Sequence, residues 1–72
     1  MYGLPMESSI QINVYDLSGR VITSLYNGVA QAGFHDVTWN ADNTSSGVYF
    51  IRLDGESKAG QFTSQQKILL IK

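Results

Sequence analysis

The stretch WNADNTSSGVYFIRL (residues 39–53) sets an apolar strand pattern, a long polar turn and a second apolar strand back to back. The turn, NADNTSSG, is built of residues that bond their own backbone or tolerate left-handed angles. The segment after it carries Val48, Tyr49, Phe50, Ile51 and Leu53, so neither of its faces is simply wet. Tyr49, Ile51 and Leu53 fall on one face; Val48 and Phe50 open the other, which Arg52 closes at water. Such a strand belongs inside a sheet, with one face on a core and the other partly covered by loops or a neighbour. Burying one of its large side chains contributes roughly 1.5–3 kcal/mol.

The same alternation runs outward in both directions. In SIQINVYD the apolar residues Ile10, Ile12 and Val14 fall two apart, with Gln11 and Asn13 on the opposite, wet face. DLSGR follows, with Gly19 available for a positive-φ turn position, and VITSLY (21–26) completes a hairpin. NGVAQAG (27–33) reads as a loop with two glycines. FHDVTW alternates again and puts His35, Val37 and Trp39 on one face. Beyond Leu53, DGESKAG (54–60) reads as a turn, and residues 61–71 as a closing strand with an apolar end. YGLP at the front is a stub of strand halted by Pro5. Five strands and a stub, with turns roughly every 8–12 residues, spell an all-β sandwich or barrel. No segment shows a helical period, an internal repeat or a linker.

Seventy-two residues make one domain, 1–72. A chain this short buries only about 60% of its unfolded surface, so marginal stability is expected. A hydrophobic content of 43% with a net charge of −1 is not the composition of a disordered tail. The basic residues are scattered, which excludes the basic stripe of a nucleic-acid binder. No polybasic or amphipathic-helix pattern suits a membrane surface, and no apolar run nears the roughly 18 residues of a membrane helix. Cysteine is absent, so there is no disulfide framework and no thiolate metal site. MYGLPMESS lacks the basic and apolar regions of a signal peptide. If the protein is exported, its export signal lies elsewhere, in a larger chain of which this is a piece.

Candidate chemistry is thin. His35 adjoins Asp36, but neighbours on a strand point to opposite faces, so Asp36 cannot orient the ring for a serine such as Ser45 or Ser46. A half-buried ring satisfied by backbone or water is the better expectation. Asp42 and Asn43 could lend oxygens to calcium, which takes 6–8 oxygen ligands, yet turn formation explains them better. NTS (43–45) matches a glycosylation sequon whose meaning depends on the host. Tyr15, Tyr26 and Phe34 are candidates for a sugar platform. Glu7, Asp16, Asp54 and Glu56 show no pairing that argues for acid–base work.

Three longer patterns carry a resemblance. YGLPMESSIQINVYDLSGRVITSL resembles Tyr-x-Leu-Pro, a strand, then Tyr-Asp-Leu-x-Gly-Arg-x-Val. AGFHDVTWNADNTSSGVYFIRL resembles Gly-x-His-x-Val-x-Trp-Asn, a polar turn, then Ser-Gly-Val-Tyr-Phe-x-Arg-Leu. QKILLIK resembles a Lys-x-Leu-Leu-x-Lys terminus. In this order and spacing the chain resembles the C-terminal sorting domain of the type IX (Por) secretion system. That family is similar in fold to the immunoglobulin-like domain of the flagellar hook-capping protein.

The resemblance implies a small immunoglobulin-like antiparallel β-sandwich. Family members carry an Asn-Pro-Phe motif and a first strand ahead of Tyr-x-Leu-Pro, which are missing here. A trimmed domain follows as an expectation, with an exposed sheet edge through which copies self-associate. The implied function is a non-catalytic signal that takes a cargo protein across the outer membrane. Removal of the domain by a sortase-type peptidase and anchoring of the cargo at the cell surface commonly follow. Partner recognition is carried over to Gly47, Val48 and Tyr49, and to Lys67, Ile68, Leu69, Leu70, Ile71 and Lys72. The implied partners are the shuttle and sortase components of the type IX machinery; no cofactor is implied. The alternative is a passive immunoglobulin-like spacer or weak carbohydrate binder, which would be indifferent to its last six residues.

Overall fold

The most deeply buried side chains are Ile10, Ile12 and Val14, and they mark the centre of the fold. The computed structural model describes residues 2–71. Its strands are β1 (Tyr2–Leu4), β2 (Ser8–Tyr15), β3 (Val21–Ala30), β4 (Gly33–His35), β5 (Gly47–Ser57) and β6 (Gly60–Leu70). Strands β3-β2-β5-β6 form one antiparallel sheet and β1-β4 a second, smaller one. This is the all-β, two-sheet architecture of a small β-sandwich.

β2 is central because both its neighbours bond to it. The register sets Ile12 opposite Leu53 of β5 and Tyr26 of β3, and Val14 opposite Ile51. Opposed residues share a face, so this row becomes the inner surface of the larger sheet. Leu4 of the small sheet joins Ile10, Ile12 and Ala30 in the core, rimmed by Tyr2, Leu25, Val37, Ile51, Leu53 and Phe62. The inner face of β5 is thus Tyr49, Ile51 and Leu53, as its alternation predicts.

The β2–β3 turn is tied by one carboxylate. Asp16 Oδ1 accepts bonds from the Ser18 amide (2.9 Å), the Ser18 hydroxyl (2.7 Å) and the Arg20 amide (3.0 Å). Asp16 Oδ2 accepts from Arg20 Nε at 3.2 Å. Gly19 takes the expected positive φ, 86°. The Ser18 hydroxyl, with the Arg20 amide next, lowers the Asp16 carboxyl to about 2.

Several strand ends differ from the sequence expectation. β3 runs straight through Asn27 and Gly28 to Ala30, where a loop was expected. The reason is β2, which supplies Gln11, Ile10, Ser9 and Ser8 as register partners and outweighs local turn propensity. β5 likewise continues through Asp54 and Gly55 to Ser57, leaving Lys58 and Ala59 as the turn. Gly55 suits this strand for a packing reason: a Cβ there would collide with the Phe62 ring, its cross-strand partner. In the opposite direction, the FHDVTW strand shrinks to Gly33–His35, because its partner β1 has only three residues before Pro5. Val37 and Trp39 keep their alternating half-burial without a ladder. Asn13, expected on a wet face, is buried, its Nδ2 donating to the Tyr15 hydroxyl at 3.3 Å.

Candidate functional site

The two segments singled out for recognition are far apart in sequence and side by side in the fold. The short Lys58–Ala59 turn fixes the β5–β6 register, which pairs Gly47 with Leu70, Val48 with Leu69 and Tyr49 with Ile68. They form one corner of the larger sheet.

Strand alternation divides this corner into two surfaces. Tyr49 is 8% exposed, and its partner Ile68 is half-buried on the same inner face, as is Leu70 beside Gly47. Leu69 is 64% exposed on the outer face, next to half-buried Val48. Lys67 is exposed there beside Phe50, and Ile71, just past the strand end, is 79% exposed. Lys72 lies outside the described residues. Ile68 and Leu70 therefore help close the sandwich, whereas Lys67, Leu69 and Ile71 face outward.

Tyr49 ties this corner to the chain that precedes it. Its hydroxyl donates to the Ser45 carbonyl at 2.6 Å, and its ring meets Trp39 edge-on, with centroids 5.4 Å apart and planes at 69°. Asn40 Oδ1 accepts from the Asp42 amide at 3.1 Å, and the Thr44 amide donates to the Ala41 carbonyl at 3.0 Å. The polar turn thus has the self-bonding geometry its composition predicts. The clamp on Trp39 and Ser45 was missed by sequence reasoning. Its only sequence signal was an aromatic pair astride a long turn.

Among the described residues, β3 and β6 are the open edges of the larger sheet, and they differ. The β2–β3 ladder shifts register twice, between Ile12 and Asn13 and between Val14 and Tyr15, leaving Leu25 and Ile22 as the extra residues. The Tyr26 hydroxyl also occupies the Val29 carbonyl at 2.8 Å. Bulges of this kind turn an edge away from a new partner. β6 instead stays in one register over its whole length; its one charged residue is Lys67, and β3 has none.

The other sequence candidates scatter. His35 Nε2 donates to the Gln31 carbonyl at 2.7 Å, and the half-buried ring stacks on Tyr2 with centroids 5.4 Å apart. The Ser45 carbonyl accepts from the Tyr49 hydroxyl. Tyr15 sits on the outer face of the larger sheet, Tyr26 on its inner face opposite Ile12, and Phe34 on the small sheet at 80% exposure. Three rings on three surfaces make no sugar platform. Among the described residues, no three His, Cys, Asp or Glu side chains gather as a metal site, Asp42 included.

The fold is a small two-sheet β-sandwich whose larger sheet ends in the long, regular edge strand β6. The chain matches the family model of the secretion system C-terminal sorting domain over residues 3–71 and belongs to that family, the type IX sorting domains. No curated protein and no solved structure matches it. The domain is a C-terminal signal for export through the type IX system, which implies passage across the outer membrane and contact with that machinery. Domains of this family are in general non-catalytic.

Proposed function

We propose that the secretion machinery reads this domain at the β5–β6 corner, by pairing a strand of its own with the open edge of β6. One observation supports this most: β6 keeps one regular register, while the opposite edge, β3, is broken by two bulges. Edge pairing takes affinity from main-chain bonds and specificity from alternate side chains. The alternate set is Lys67, Leu69 and Ile71 outside, flanked by Val48. Gly47, Tyr49, Ile68 and Leu70 hold the strand in place from within. The partners are the shuttle and sortase components of the type IX system. Removal of the domain and retention of the cargo at the cell surface or its release outside complete the path.

The test is export of a periplasm-directed fluorescent reporter fused to this chain, in a host with type IX machinery. Leu69→Glu, on a side chain already 64% exposed, leaves the core untouched and places a charge on the outward row. Surface delivery should fall while the circular dichroism melt stays unchanged. Full delivery by the folded variant contradicts the proposal.

The same open edge is also proposed to pair with a second copy of the chain. Light scattering on the chain alone should show a concentration-dependent rise in mass that Leu69→Glu reduces. A constant monomer mass at millimolar concentration contradicts it.

A further inference from the structure

We infer that Tyr49 is a positioning residue for recognition, and that residues 36–46 belong to the recognised surface together with the end of β6. The inference rests on the reading that the β5–β6 corner is what the machinery contacts.

Tyr49 is the one member of the Gly-Val-Tyr stretch whose side chain is buried, at 8% exposure, so a partner meets very little of it. What the side chain does instead is hold the chain at two points ten and four residues upstream of itself, the Trp39 ring and the Ser45 carbonyl. Between those points the segment has no strand partner among the described residues and runs as turn and bend. Its far end enters β5 at Gly47, and Gly47 pairs with Leu70. Continuing that register past the ladder sets Ser46 beside Ile71. The loop therefore enters the β5–β6 corner, and the tyrosine fixes where it lies. Asn40, Asn43 and Ser45 are exposed along it and offer hydrogen-bonding groups. The composite surface suits a protein strand whose side chains are apolar at one end and hydrogen-bonding at the other.

Two substitutions separate this role from ordinary core packing. Tyr49→Phe keeps the ring on Trp39 and Ile68 and removes only the bond to Ser45. Trp39→Leu loosens the other hold and leaves Tyr49 in place. Amide hydrogen exchange is measured on each chain, and delivery of the reporter fusion in the type IX host. A lost hydrogen bond of ordinary net strength should speed exchange across residues 43–46 by about 2- to 10-fold. Ile10, Ile12 and Val14 should exchange as before, and delivery should fall by a comparable factor. Faster loop exchange with full delivery overturns the inference, since the loop would then not be read. Faster exchange in β2 as well overturns it too, because Tyr49 would act through global stability. Unchanged loop exchange shows that Tyr49 does not hold the loop. A parallel fusion lacking residues 67–72 keeps the two readings apart. Loss of delivery there, with none in Tyr49→Phe, leaves the corner reading standing and removes this one.

Discussion

Asp16 shows how much one side chain organises at the residue scale. A single carboxylate accepts from two amides, a hydroxyl and a guanidinium, and its carboxyl falls to about 2 from an ordinary 3.8. A group with a depressed folded pKa contributes stability above its unfolded pKa and loses it as pH falls through the folded one. The Asp16 contribution is therefore complete above about pH 4 and gone near pH 2. Urea midpoints of the parent and of Asp16→Asn should differ at pH 6, converge between pH 4 and 2, and meet near 2. A constant gap through that window would show that the charge is not what ties the turn. The Asp-Leu-Ser-Gly run marked this turn in the sequence. The fourfold use of the carboxylate was not legible, because Asp, Ser and Arg in a turn are common without converging.

At the scale of elements, the strand cores were legible and their ends were not. Ile10, Ile12 and Val14 announced β2 by strict alternation, and it is the most buried strand. Asn27-Gly28 and Asp54-Gly55 announced turns, yet both lie inside strands, because cross-strand partners override a dipeptide preference. Gly55 is the sharper case: the glycine serves the Phe62 ring rather than a turn. Gly55→Ala should therefore cost about 1–3 kcal/mol, the range for overpacking a filled site. Gly55→Ala combined with Phe62→Leu should recover part of that loss in a denaturant double-mutant cycle. Additive losses would show that ring and glycine do not share the space. The β5–β6 pairing that joins Gly47, Val48 and Tyr49 to the terminal residues was hidden for the same reason. Its register depends on where the turn falls, and the expected turn was seven residues wide where the structure uses two.

Taken whole, the molecule is long and thin, 39 × 21 × 16 Å with a Cα radius of gyration of 12.9 Å. A compact chain of this length would have a radius of roughly 11 Å. Eleven extended residues span about 36 Å, so the long β5–β6 hairpin sets the length of the molecule. Such a shape leaves few side chains fully buried and much strand edge in the open. That is a poor design for a pocket and a fitting one for an edge-read signal. The all-β class, the six segments and the family were readable from patterning and motifs. The division of the terminal strand into an inward and an outward row was not, because four apolar residues in succession, Ile68 to Ile71, hide their alternation. The central claim is that the outward row and its edge are the signal. Its most direct test is delivery of two folded reporter fusions in a type IX host, one with the intact chain and one lacking residues 67–72. The account predicts surface delivery by the first alone; equal delivery by both would contradict it.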